Sequence, residues 1–456
     1  MIIFYYIKGD CMANKFSFKG GIHPLQRIHH GKRLTEVRPI ERCSVPDEVV
    51  IPLAQHIGAP STPIVAVGDI VNMGQRIADE RGYVSVPCFS SVSGKVKAIE
   101  MRSHISGQKS MAIVIENDHE DRLHPDIKSQ GKLESLSPQQ IIDIIKNAGL
   151  VGMGGAAFPT HVKLSPPAEK KIDTVIVNGA ECEPYLTADH RIMLEYPDEV
   201  VRGLKAVVKA LGVSNAWIGI ENNKPDALDA MQKAVSGTHI KVAALKVKYP
   251  QGAEKQLINA ITGREVPSGG LPMDVGVVVI NAGTAYQICQ AIEKGMPLFE
   301  RVVTVTGSVG QPSNLLVRIG TPVSYVITHA GGLAGKVEKV IAGGPMMGIA
   351  MHDIDAPVMK GTSGILVLDD KMARPMEESA CIRCSKCVYV CPIGLQPYLI
   401  DAYAENDRFD DAEKAGAMDC IECGCCAYTC PANRHLVQGM RLAKCEITNR
   451  RKACSK

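Results

Sequence analysis

Eleven of the sixteen cysteines of this 456-residue chain fall between Cys381 and Cys454. Within that stretch the run Cys381-Ile-Arg-Cys384-Ser-Lys-Cys387-Val-Tyr-Val-Cys391-Pro392 recurs as Cys420-Ile-Glu-Cys423-Gly-Cys425-Cys426-Ala-Tyr-Thr-Cys430-Pro431. Both runs follow C-x2-C-x2-C-x3-C-P. Three thiolates two residues apart wrap one corner of a four-iron cube, and the fourth, beside proline, turns towards a neighbouring cube. The spacing therefore predicts two [4Fe–4S] clusters with crossed ligation. Cys381, Cys384, Cys387 and Cys430 take the first; Cys420, Cys423, Cys426 and Cys391 take the second. Zinc sites typically use two separated ligand pairs, which these runs do not follow. Cys425 is out of register and reads as a buried or spare thiol. Cys445 and Cys454 have no ligand spacing.

A disulfide scaffold would spread its cysteines and carry a secretory signal. The opening MIIFYYIKGDC has one short apolar run followed by Asp10, too short for a signal or a membrane span, and Met12 could equally be the start. Val275–Ile292 lacks charge but contains Asn281, Thr284, Tyr286, Gln287 and Gln290, so it is read as a buried strand followed by a helix. A net charge of +3 gives no footprint for nucleic acid. With 45% hydrophobic and 22% charged residues, the expectation is a folded, soluble, intracellular protein. Its length suggests about three domains, with four possible.

Residues 12–125 read as β: short runs such as VVIPL, PIVAV and KVKAI lie between turn residues. VGDIVNMGQRIAD and SSVSGKVKAIE resemble the strand–turn–strand units of the hammerhead, or barrel-sandwich, carrier fold. The tip that would bear the modified lysine is Ser90–Gly94, which has none, so the fold is expected without a covalent cofactor. From 136 to 300 helical stretches, beginning with SPQQIIDIIKNAG, alternate with the strands DTVIVNG, AWIGI, KVAALKV and GVVVINAG, which argues a Rossmann-like parallel α/β sheet. Residues 301–360 return to short strands and suggest a small β-grasp, SLBB-like module. Residues 370–445 form a helical two-cluster ferredoxin domain.

Clusters move single electrons, so something must feed them. One candidate is Gly149-Leu-Val-Gly152-Met-Gly154-Gly155-Ala-Ala-Phe158-Pro-Thr160-His-Val-Lys163. Bare backbone at Gly152, Gly154 and Gly155 lets amides approach a phosphate, with Lys163 as counter-charge; taken alone it is equally a structural turn. A second is Asn178-Gly-Ala-Glu181-Cys182-Glu183-Pro184-Tyr185 after the strand DTVIV. Ligands collect at such strand ends, the other reading being a solvated acidic turn. Cys182 reads as packed, since flanking carboxylates disfavour its thiolate.

These stretches resemble the flavin- and NADH-binding subunit of respiratory complex I, as do Tyr249-Pro-Gln-Gly252-Ala-Glu254 and Asn281 with Thr284. Met153, Ala180 and Ala253 depart from that family's pattern. With FKGGIHP, VIPLAQHIGAP, VGDIVNMGQ, VNGAECEPYLTADH and REVPSGGLP added, residues 16–435 resemble the RnfC family, the C subunits of Rnf complexes. The resemblance implies a membrane-associated ferredoxin:NAD oxidoreductase coupled to ion translocation, an enzyme in which RnfC holds FMN, two [4Fe–4S] clusters and the site for NAD(H). By the same resemblance FMN is held by Gly152, Gly154, Gly155, Lys163, Asn178, Glu181, Tyr249, Gly252, Asn281 and Thr284, while NAD meets Phe158, Glu183 and Glu254. No acid or base catalyst is assigned, because hydride transfer to flavin needs none. Implied partners are the other Rnf subunits, including an iron–sulfur subunit that exchanges electrons with ferredoxin. The implied location is the cytoplasmic side of the cell membrane, peripherally. Two alternatives stand beside this: an NADH-dependent cobalamin reductase of microcompartments, and an electron carrier whose flavin site has decayed.

Overall fold

The computed structural model describes residues 16–23, 31–373 and 376–454. The leader and the Met12 start lie outside these residues.

The first unit is two small antiparallel sheets. One runs Glu48–Pro52, Lys109–Asn117, Gly94–Ser103, Ile70–Val71; the other runs Thr62–Pro63, Arg76–Asp79, Cys88–Phe89. Alternate apolar side chains, Val49 and Ile51 against Ile113 and Ile115, meet Ile77, Val86 and Val92 in one core. The Ser90–Gly94 turn is not a free tip as a carrier's would be. Ser90, Ser91 and Ser93 are buried, and Ser91 Oγ donates to the Ile319 carbonyl at 2.6 Å.

The second unit opens with the helix Pro138–Asn147, capped reciprocally by Ser137 and Gln140. Its sheet is wholly parallel in the order Lys241–Leu245, Asn215–Glu221, Thr174–Gly179, Val277–Asn281. In chain order that is 3-2-1-4, so the direction of winding reverses between Thr174–Gly179 and Val277–Asn281. Val175, Ile176 and Val177 are fully buried, as expected for strands covered on both faces. Helices Pro197–Leu211 and Ala282–Lys294 cover one face and Glu254–Thr262 the other.

The third sheet has six mixed strands in the order Ile40–Arg42, Ser313–Arg318, Glu300–Gly307, Gly364–Asp369, Val337–Ala342, Ile349–Ala350. Its edge strand Ile40–Arg42 and its central strand Gly364–Asp369 come from outside 301–360. Glu300–Gly307 pairs in parallel with Gly364–Asp369, and a parallel partner must arrive by a long connection, which local sequence pattern does not reveal.

The last unit is helical. Short helices Lys386–Val390 and Cys425–Thr429 sit inside the two cysteine runs, with Pro397–Glu405 and Phe409–Lys414 between them in the chain and Leu436–Cys454 after the second. Ile400, Phe409, Met440 and Ile447 share its core.

Candidate functional site

The two cysteine runs fold alike. Each begins as a loop with left-handed residues at matching places, Arg383 and Ser385 in one and Glu422 and Gly424 in the other. These turns curl the first three cysteines around one centre. The five-residue helix that follows carries the third cysteine and ends at the fourth, which proline then directs away. Cys381, Cys384 and Cys387 line a cavity of about 540 Å³ together with Cys430 of the other run. Cys420, Cys423 and Cys426 line a second with Cys391. The crossed sets are thus brought together. Among the described residues no three His, Cys, Asp or Glu side chains converge on a point that one ion could occupy. The Cys381 set rings an open space, whereas the space between the thiols of the Cys420 set is much tighter, about 20 Å³. Amides aim at sulfur from Arg383 to Cys381 (3.4 Å), Glu422 to Cys420 (3.4 Å) and Leu395 to Cys391 (3.3 Å); such donors stabilise thiolate bound to iron and help set cluster potential. Cys425 is buried beside Tyr249, its thiol on the Tyr249 carbonyl and in hydrogen-bond contact with Cys423.

Most residues predicted to bind flavin gather at the carboxyl ends of the parallel strands, at the switch point where doubly wound sheets bind ligands. Asn178 and Asn281 are register partners across it. The glycine-rich loop folds over this place: Gly152 N donates to the Phe158 carbonyl (2.8 Å), and Thr284 Oγ1 accepts from Met153 N (2.9 Å). Gly154 lies so near Asn281 that a Cβ there would stand 3.5 Å from its Nδ2. Gly154 and Gly155 are exposed, and Gly155, at φ +116°, has open space before it. Bare backbone at Gly154 and Gly155 is therefore exposed over a strand end. Gly252 closes the opposite side, its carbonyl accepting from Asn178 Nδ2 at 2.7 Å and its amide donating to Cys182 Sγ at 3.2 Å. Lys163 Nζ bonds Glu254 at 2.6 Å and the Val279 carbonyl at 3.2 Å, so the expected phosphate counter-charge and an expected NAD carboxylate form one pair.

The acidic segment divides its work. Glu181, at φ +45°, accepts from Asp189 N (2.7 Å) and His190 N (3.2 Å), placing its carboxylate at the start of helix Ala188–Glu195. Glu183 turns the other way and accepts from Met346 N (3.1 Å) and Met347 N (2.8 Å) of the third sheet's unit; burial raises it to about 7. It is engaged there, and not on the Lys163–Glu254 pair. The Cys182 thiol is pushed far up, chiefly by burial and then by Glu221 and Glu183, so it is no thiolate.

Three residues were not legible as site residues. Asp189 is raised to about 7 by burial and by Glu181, while Asn281 Nδ2 donates to it at 2.5 Å. In sequence it reads as an ordinary first-turn helix acid. Lys32 holds the carbonyls of Glu181 (2.9 Å) and Leu186, and Lys224 that of Ala180 (2.7 Å). Both are nearly fully buried, and nothing in their local sequence marks them.

Tyr249 connects the halves. Its backbone pairs with Ile22, and its hydroxyl donates to the Cys423 carbonyl at 2.8 Å. Gly21 N donates to the Val390 carbonyl at 2.8 Å, and Gly20, at φ +79°, lies where a Cβ would be 2.7 Å from the Cys391 carbonyl. The FKGG segment is therefore wedged between the α/β unit and the second cysteine set.

Four family models match in chain order. They are an RnfC barrel sandwich hybrid domain (residues 16–120), a Nuo51 FMN-binding domain (145–290), an SLBB domain (302–350) and a 4Fe-4S dicluster domain (380–434). The C subunit of the Na(+)-translocating ferredoxin:NAD(+) oxidoreductase complex of Acetobacterium woodii is 52% identical, covering 96% of this chain and 98% of its own. Its proton-translocating counterpart from Clostridium ljungdahlii is 50% identical, covering 94% of each. The C subunit of the ion-translocating oxidoreductase complex of Rhodobacter capsulatus is 43% identical, covering 95% and 84%.

Proposed function

The chain belongs to the RnfC family, the C subunits of ion-translocating ferredoxin:NAD(+) oxidoreductase complexes, and on that premise we propose how its residues divide the work. It is an oxidoreductase subunit with an FMN-binding unit and a unit for two [4Fe–4S] clusters. When bound, FMN exchanges electrons with NAD(H) in pairs and with clusters singly. The glycine-rich loop presents the amides around Gly152, Gly154 and Gly155 to the phosphate. Asn178, Asn281, Thr284, Gly252 and Glu181 shape the floor at the switch point. Phe158 and Glu254 border the nicotinamide side, and Lys163 orients Glu254.

The eight cysteines are assigned to the two clusters as crossed sets. The set with Cys391 and Cys423 is the inner one, since Tyr249 and Gly20 pack directly on its backbone. The set with Cys381 and Cys384 is the outer one. Both thiols are exposed, and Ile382 (69%) and Tyr389 (80%) stand beside them in solvent. That outer edge faces the partner, read here as an iron–sulfur protein of the same complex that exchanges electrons with ferredoxin. No helix among the described residues is long and apolar enough to cross a membrane. The relatives' place in ion-translocating complexes supports the reading of a peripheral subunit on the cytoplasmic side, held by integral partners.

The observation that carries this reading is the glycine-rich loop lying over the Asn178–Asn281 pair. Anaerobic titration of the purified chain with NADH tests it: flavin and cluster absorbance should both bleach. A chain loaded with flavin and iron that stays oxidised would sink the proposal.

A further inference from the structure

Two buried cations behind the glycine-rich loop come from outside the α/β unit. Arg301 lies in strand Glu300–Gly307 and is 4% exposed; Lys360, on the connection before Gly364–Asp369, is 1% exposed. Lys360 Nζ donates to the carbonyls of Gly149 (2.8 Å) and Pro87 (2.7 Å). Arg301 donates through Nη2 to the Met153 carbonyl (3.3 Å), through Nε to that of Val302 (3.2 Å) and through Nη1 to that of Lys360. Gly361 passes so close that a Cβ on it would lie 3.1 Å from the Gly155 carbonyl and 3.2 Å from Ala157 Cβ. The loop thus rests along its length on residues 360 and 361 and on Arg301, while Gly154, Gly155 and Ala156 face outward.

The charges are as informative as the contacts. Neither cation has an ion pair with another described residue closer than 4.0 Å. Asp189 is the one acid that bears on Arg301, and its carboxylate is held by Asn281 beside Glu181. Lys360 adds only the face of the Phe89 ring, 5.9 Å from its Nζ, to its carbonyl partners; a buried cation without a paired anion is costly, and removing its charge or supplying an anion relieves that cost. Burial pulls Arg301 down to about 10 and Lys360 to about 8, so both still carry charge at neutral pH. Across the thickness of one loop lies the exposed backbone of Gly154 and Gly155.

We propose that Arg301 and Lys360 are positioning residues of the flavin site, Lys360 anchoring the start of the glycine-rich loop and Arg301 providing the positive charge by which the loop selects a flavin with a phosphate over one without. The β-grasp unit is then part of the cofactor site. This rests on the FMN reading above.

The test compares two ligands that differ by the phosphate. The chain, freed of flavin with its clusters retained, is titrated with FMN and with riboflavin, following flavin fluorescence. Wild type should prefer FMN. R301M should lose about tenfold of that preference, the size of one charged interaction, whereas R301K should lose less. K360M should weaken both flavins by a common factor and leave the preference intact. The ratio is internal to each variant, so partial loss of folded protein does not move it, and R301Q gives a second neutral variant. Arg301 variants that weaken both flavins equally overturn the proposal while leaving the FMN reading standing. A wild type that binds neither flavin, or binds both alike, overturns the FMN reading and this proposal with it.

Discussion

Glu183 shows how one side chain joins two units and records it in pH. Its carboxylate caps the amides of Met346 and Met347, yet burial raises it from 4.5 to about 7. The folded state therefore binds this proton more firmly than the unfolded chain does. Stability from this group falls as pH rises between about 4.5 and 7, and the penalty is complete above that. Glu183→Gln cannot ionise, so its stability relative to wild type should rise by about 1–3 kcal/mol between pH 5 and pH 8, read from chemical denaturation at each pH. An unchanged difference would mean that the carboxylate is not the strained group. The neighbouring Cys182 makes the opposite case. Its thiol is buried, protonated and an acceptor for Gly252 N, so Cys182→Ala should leave NADH–ferricyanide turnover nearly unchanged. Loss of turnover would make the thiol a participant.

At the scale of elements, helix packing sets the floor of the site. Helix Ala282–Lys294 begins at Asn281, which caps it through Thr284 N and borders the glycine-rich loop. The same helix lies against Pro197–Leu211 so closely that a Cβ on Gly203 would fall 1.8 Å from the Ala285 carbonyl. Backbone cannot yield there as a flexible side chain would. Gly203→Ala should therefore cost about 1–3 kcal/mol or more by overpacking. Gly212, which ends the same helix at φ +65° with nothing within 4 Å, should cost only about 1 kcal/mol when changed to alanine. Denaturation midpoints of the two variants check the order. A Gly203→Ala as mild as Gly212→Ala would mean that the helices separate freely, and flavin retention should then be unaffected too.

At the scale of the whole molecule, the two-cluster unit is docked at one end and open at the other. Tyr249, Gly20 and Gly21 hold the backbone around Cys423, Cys391 and Val390, and Ser268 and Gly269 bind Asp419 at 2.5 and 3.0 Å. The cluster next to this seam is assigned to Cys420, Cys423 and Cys426 with Cys391 from the other run. Cys391→Ala should consequently damage that inner cluster and spare the outer one, leaving one well-formed cubane spectrum by electron paramagnetic resonance after reduction. Iron and sulfide should fall from about eight of each per chain towards four. Loss of the cluster ligated by Cys381, Cys384 and Cys387 instead would mean that each run holds its own.

What the sequence determined by itself was everything carried by short-range spacing. Twelve consecutive residues suffice to place three thiolates and a proline-directed fourth, and the repeat names where that fourth must go. Likewise Ser137-Pro138 starts a helix, and apolar runs between glycines make buried strands, because capping and hydrophobic periodicity act over a few residues. The Asn178 and Asn281 positions were legible through resemblance. That they are neighbours was decided by the 3-2-1-4 strand order, which joins the first and fourth strands across intervening elements. Gly364–Asp369 enters the third sheet, Glu183 turns to Met346, and Arg301 and Lys360 reach the glycine-rich loop only because separate units pack together. Such contacts join residues far apart in the chain, and no local propensity distinguishes the buried cation that supports a site from the lysine or arginine that simply faces water.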